Sequence, residues 1–333
     1  MPNITTLYGL EYYKNNFWIT YDSISPTNTS YVAKYNPANN TVTNVPAYPA
    51  INAGNQRYKA LKNFDGYLYI LRDNNSPYIF ATNDDGWTNN FALHDSHVRN
   101  FVDIFDNKLY VGRSVGTNAG DGWFNIQPNL SGQSTHSINT RCNSGSGTTI
   151  LPFKGKFYYG TGSVDRLLTS DTLFSSLSTI NPNIPSFGSC NLGSTHASSY
   201  LMADEDDLIA YWMGNYFINP QENRNYSVFN GTTWTAKTLP ANTFFVMHSP
   251  QQTENFKNNA LWTLTFNTTT KELAVYAWDK TNKEFVYNNT IHTFIGATHV
   301  ACGVVKRVNG SIHFSAAVSY GTTYTKAFFI KMT

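Results

Sequence analysis

The chain has 333 residues, of which 13% are charged and 15% aromatic, and its 23 basic and 21 acidic side chains leave a formal net charge of +2. No Lys/Arg run offers a surface for nucleic acid or an anionic membrane, and no apolar run reaches the roughly 18 residues of a membrane span. The three cysteines, Cys142, Cys190 and Cys302, form neither a disulfide framework nor a CxxC zinc pair. The first residues, "MPNITTLYGLEYYKNN", lack the basic and apolar regions of a signal peptide, which fits synthesis in the cytoplasm. Tyr, Phe, Thr, Asn and Gly are abundant, a mixture that favours strands and turns over helices.

In chain order, one pattern recurs: an apolar stretch, a short turn, then a second apolar stretch rich in aromatics. Copy one turns at Asn15 before "NFWI", and "YVAKYNPANNTVTNV" follows as a second hairpin. Copy two is "LKNFDGYLYI", turning at Gly66, then "YIFATNDDGWTN". Copy three, "VDIFDNKLYV", turns at Asn107. Copy four is "ILPFKGKFYY", turning at Gly155, with "RLLTSDTLFSSLS" behind it. Copy five turns at Asp206 before "DLIA" and continues with "YSVFNGTTWTAKTL". Copy six turns at Asn259 before "ALWT" and continues with "LAVYAWDKTNKEFVY". Copy seven turns at Gly310 before "SIHF" and ends on "AFFIKMT", one strand short.

The turn residues are spaced by 51, 41, 48, 51, 53 and 51 residues. Asp65-Gly66, Lys154-Gly155 and Asn309-Gly310 are two-residue hairpin signals. Two hairpins per copy make four strands, and seven four-stranded antiparallel sheets repeated about an axis make a β-propeller. No composition shift divides the chain, so residues 1–333 read as a single all-β domain. The stretch "PNITTL" is expected to supply the missing strand of copy seven and so close the ring, removing two exposed edges.

Two outer hairpins, "ATNDDGWTNN" and "LTSDTLFSSL", resemble the Asp-box turn of sialidase-type propellers, although in both the aromatic comes early. "NGTTW" and "DKTNKEF" are similar to kelch repeats without the glycine doublet. The resemblance implies a propeller fold and leaves activity open. The low-charge texture, rich in Asn, Thr, Gly and Tyr, also resembles phage tail and fibre proteins and microbial lectins.

Four of the eight histidines share one repeat position. His97 and His196 lie ten residues before their turns, His248 and His299 eleven, and Gln56 takes the matching place in copy two. That position precedes the innermost strand and should lie at the mouth of the central channel. A ring of imidazoles there could hold an anionic ligand or a metal ion, with His196, His248 and His299 on consecutive copies as the metal trio. Some seven-bladed lyases use His and Gln in this way, whereas WD-repeat proteins use a comparable histidine as a structural hydrogen bond. Apart from that metal, no cofactor is expected.

The acidic run "DEDD" (residues 204–207) reads as a solvated turn on the opposite face. The long loops "RSVGTNAGDG", which begins with Arg113, and "MGNYFINPQENRNY", which carries Tyr216 and Phe217, offer adaptable hydrogen bonds and aromatic area. No repeat-linked carboxylate pair marks a glycosidase. The expectation from sequence is a non-catalytic adhesion module of a virion or cell surface. It would recognise a glycan or protein through its long-loop face, among other virion or surface proteins. The alternatives are a polysaccharide lyase or glycoside hydrolase with an axial His-lined site, and a purely structural subunit.

Overall fold

A computed structural model describes residues 4–23, 29–45, 51–52, 57–73, 78–83, 87–92, 97–114, 122–128, 133–137, 149–160, 167–180, 198–213, 223–246, 261–321 and 324–332. Among them there is no α-helix, and the strands form seven antiparallel sheets in chain order. Blade one holds β1 (Ile4–Tyr13), β2 (Asn16–Ser23), β3 (Thr29–Asn36) and β4 (Thr41–Asn44), with the short β5 (Ile51–Asn52) beside β3. Blade two is β6 (Arg57–Phe64), β7 (Tyr67–Asp73), β8 (Tyr78–Thr82) and β9 (Trp87–Ala92). Blade three is β10 (His97–Phe105), β11 (Lys108–Ser114), β12 (Gly122–Ile126) and β13 (Gln133–Ser137). Blade four is β14 (Thr149–Phe153), β15 (Lys156–Gly160), β16 (Leu167–Ser170) and β17 (Ser178–Ile180). Blade five is β18 (Ser198–Ala203), β19 (Leu208–Met213), β20 (Asn225–Phe229) and β21 (Trp234–Thr238). Blade six is β22 (Thr243–Phe245), β23 (Trp262–Asn267), β24 (Glu272–Asp279) and β25 (Glu284–Thr293). Blade seven is β26 (His299–Val308), β27 (Ser311–Ser319) and β28 (Tyr324–Met332).

The turns are set by local backbone chemistry. Both central residues of Lys14-Asn15, Asp65-Gly66, Asp106-Asn107, Lys154-Gly155 and Asn309-Gly310 have positive φ, as type I′ turns require. The turn at Asp206 is built differently. Asp204 accepts the N–H groups of Asp206 and Asp207 on its carboxylate at 2.9 and 2.8 Å. Asn259 lies outside the described residues.

Stacking closes the ring. β1 packs on β6, β6 on β10, β10 on β14, β14 on β18, and β26 back on β1. Seven apolar clusters occupy the seven seams between successive blades. The residue after the first apolar anchor of each second strand is buried and faces the next blade. It is Trp18, Tyr69, Tyr110, Tyr158, Ile209 and Trp262 in blades one to six. In blade seven it is His313, whose ring lies 4.4 Å from that of Phe17 in blade one.

The N-terminal strand closes the ring in a different way from the one expected. β1 pairs with β2 from Ile4↔Ser23 to Tyr13↔Asn16 and is the innermost strand of blade one. It meets β26, β27 and β28 by side-chain packing, and among the described residues blade seven keeps three strands. The reason is register: "LYGLEYY" already has its hydrogen-bonding partner in the hairpin turned at Lys14-Asn15, so no part of it is left to reach the rim. The Asp-box arrangement is also absent from the blade-four turn. Asp171 stands 82% exposed opposite Lys156, while Phe174 tucks in against Tyr110 and Tyr159.

Candidate functional site at the channel mouth

One end of every innermost strand, together with the end of the second strand beside it, forms the rim at the face of the links between second and third strands. Register fixes which residues stand there. β10 opens with His97 opposite Ser114, and Val98 opposite Arg113. β6 opens with Arg57 opposite Asp73. β26 opens with His299 opposite Ser319. Two of the repeat histidines therefore do open innermost strands, each across from a serine. The sequence reading found the histidines and missed Arg57, Asp73, Ser114 and Ser319. A search for polar residues at the end of each second strand would have found Asp73, Ser114 and Ser319, and Arg57 directly follows Gln56 at the start of an innermost strand.

His299 is 1% exposed, and its ring stands edge-on to Phe266 of blade six at 6.4 Å. It thus sits within the packing between blades six and seven. Around it, the Thr298 hydroxyl donates to the Gly321 carbonyl at 2.8 Å, and the Ser319 hydroxyl donates to the same carbonyl at 2.7 Å. These bonds tie the opening of β26 to the end of β27. His196, His248, Gln56, Tyr216 and Phe217 lie outside the described residues, as do the side chains of His97 and Arg113. Among the described residues no group of three His, Cys, Asp or Glu side chains is placed to hold a metal ion.

On the opposite face, charged side chains tie neighbouring blades together. The "DEDD" turn is solvated only in part: Glu205 and Asp206 are exposed, whereas Asp207 is 1% exposed. Lys283 of blade six reaches its carboxylate at 2.6 Å, and the Trp278 indole N–H donates to the same oxygen at 3.4 Å. Lys280 adds an ion pair to Asp204 at 3.4 Å. The bond to Asp207 holds the Lys283 ammonium above its usual range. A run that looks solvent-facing in sequence is a latch between blades five and six.

No helix among the described residues is long and apolar enough to cross a membrane. No family model matches the chain. No curated protein matches it in sequence. Solved structures do share its fold. A puromycin-hydrolysing peptidase of Mycobacterium tuberculosis matches 98% of this chain with a TM-score of 0.59 at 9% identity, but this chain covers only 50% of the peptidase. The periplasmic gluconolactonase of Pseudomonas aeruginosa matches 97% of this chain and 88% of its own at a TM-score of 0.52 and 9% identity. A Lactobacillus plantarum protein matches 85% and 84% at 0.54 and 11%. Identities this low carry the seven-bladed fold alone. The expectation of a non-catalytic adhesion module is corrected here: of these three structures, the two whose activity is named are a peptidase and a gluconolactonase, and none of the three is named as an adhesion protein.

Proposed function

We propose that this chain is a hydrolase acting at the channel mouth, and that its substrate is a cyclic ester of a sugar-derived acid. The observation that carries this reading is the end-to-end match to the gluconolactonase, which spans nearly all of both chains, whereas half of the peptidase has no counterpart here. Opening a lactone requires a base to take a proton from the attacking water and a cation or donor near the carbonyl oxygen as it gains charge. The rim offers both residue types at strand ends: His97 on β10, with Arg113 on β11 and Arg57 on β6. An imidazole is suited to the first task because it exchanges its proton near neutral pH. An arginine is suited to the second because it stays charged.

The test is release of acid from glucono-1,5-lactone by the purified protein, followed at constant pH and corrected for the spontaneous reaction. The expected result is a saturable rate that falls about 10²-fold or more in His97→Gln. In Arg113→Met the loss should fall mainly on KM if the arginine only binds substrate, and on kcat if it acts on the developing oxyanion. Absence of any rate above buffer, or turnover of an aminoacyl amide in place of the lactone, would overturn the lactonase reading.

A further inference from the structure

Blade seven has three strands among the described residues, where blades two to six have four and blade one five. One edge of β28 pairs with β27 from Ile312↔Met332 to Ser319↔Tyr324, and no described strand lies along the other. The side chains register the difference. In the third strands of other blades, all of β16, the first four residues of β20, and Leu273, Ala274 and Val275 of β24 are buried. In β28, by contrast, Phe328, Phe329, Ile330 and Met332 are half-exposed. Phe328, Ile330 and Met332 lean on the blade-six cluster, and Phe329 leans on Tyr35 and Phe17 of blade one. The strand thus has the apolar composition of a covered strand without a covering strand among the described residues.

The missing cover has a definite shape. β28 is nine residues long, and the backbone donors and acceptors on its outer edge, solvated in the free chain, form a template for an added strand. Its chemistry is also constrained, since "YTKAFFIKM" carries Lys326 and Lys331, both exposed, and no carboxylate. A second copy of β28 would bring two more lysines to the same edge, and like charges across a strand pair repel.

We propose that β28 accepts an extended segment of a partner protein as the fourth strand of blade seven, and that this segment is apolar with acidic residues near both ends. Main-chain hydrogen bonds would provide the binding, and the two lysines the register and choice of partner. The surface lies on the outer edge of blade seven, away from the channel mouth, so the inference stands apart from the lactonase reading.

The probe is a capped nine-residue peptide of alternating valine and threonine with a glutamate near each end, at positions 2 and 7, five apart like Lys326 and Lys331 and so on opposite faces, added to the intact protein. Hydrogen exchange should show new amide protection concentrated in β28. Fluorescence anisotropy with a labelled peptide should give saturable binding. The double variant Lys326→Glu/Lys331→Glu, altered only at exposed side chains, should weaken this peptide at least tenfold and favour its counterpart with lysines at those positions. Equal binding of both peptides by both proteins would overturn the proposal, as would protection spread over other blades. A dimer of the protein alone, with β28 already protected, would overturn it in favour of a second copy.

Discussion

His313 is the residue on which the ring seam differs chemically from the other six. Its position holds Trp, Tyr or Ile in every other blade, and here it is 4% exposed against Phe17 and Phe329. Its Nδ1 has no hydrogen-bond partner among the described residues. Burial, and then the nearby Lys331 ammonium, lower its pKa. The unfolded chain therefore takes up this proton at a higher pH than the folded one. Stability should be unaffected above the ordinary histidine pKa of about 6.5 and should decline as pH falls below it. Thermal unfolding between pH 7.5 and 5 should show this decline, and His313→Phe should flatten it. An equal decline in the variant would assign the effect to other groups. On the other face, Lys283→Met leaves the buried Asp207 carboxylate with only a long bond from Trp278. We expect a loss of about 1–3 kcal/mol in denaturant unfolding, with much of it recovered when Asp207 is also made Leu.

At the scale of the element, blades lock through the ends and edges of their strands. Gly9 on β1 donates its N–H to the Thr20 hydroxyl at 2.8 Å, and β6 approaches it closely. A Cβ there would lie 2.7 Å from Thr20 Oγ1, 3.1 Å from Leu61 N and 3.2 Å from Ala60 C. The two backbone atoms cannot swing aside, so Gly9→Ala should cost about 1–3 kcal/mol and lower the melting temperature, whereas Gly321→Ala, with open space around it, should not. Turn lysines serve the same end on the opposite face. Lys14 donates to the Asn83 carbonyl of blade two. Lys154, at the equivalent turn position, donates to the carbonyls of Asp206 at 3.0 Å and Asn230 at 2.8 Å in blade five.

For the molecule as a whole, the consequence is a ring whose last seam lacks a shared strand. Blade one gives Leu10, Phe17, Ile19, Tyr21 and Ala33 to that seam; among the described side chains blade seven answers with the partly buried Val308 and Phe329 and with His313, buried but polar. A seam held by less burial on one side should open first. Leu10→Ala, at a site with no exposure, should cost about 2–5 kcal/mol. In hydrogen exchange the lost protection should appear in β1, β2 and β26–β28 together, before blades three to five respond. Uniform loss across all blades would mean that the ring unfolds as one unit with no weak seam.

The sequence by itself determined the strand-and-turn grammar and the number of blades. A type I′ turn depends on two adjacent residues tolerating positive φ, and Asp65-Gly66 or Asn309-Gly310 states this within a dipeptide. The buried residue after each anchor is likewise read from period-two alternation along one strand. Two repeat histidines, His97 and His299, were legible because they share a strand position, but their serine partners were not, since those lie at the far ends of second strands. Only the tertiary structure decided that "DEDD" is a latch, because Asp207 and Lys283 are 76 residues apart and meet when two blades stack. The same holds for His313 on Phe17, and for β1 taking the innermost place of blade one, so that blade seven keeps three strands among the described residues. Local dihedral preference and side-chain alternation are properties of neighbouring residues. Which carboxylate loses its water, and which strand edge keeps it, depends on faces that come together only when the ring closes.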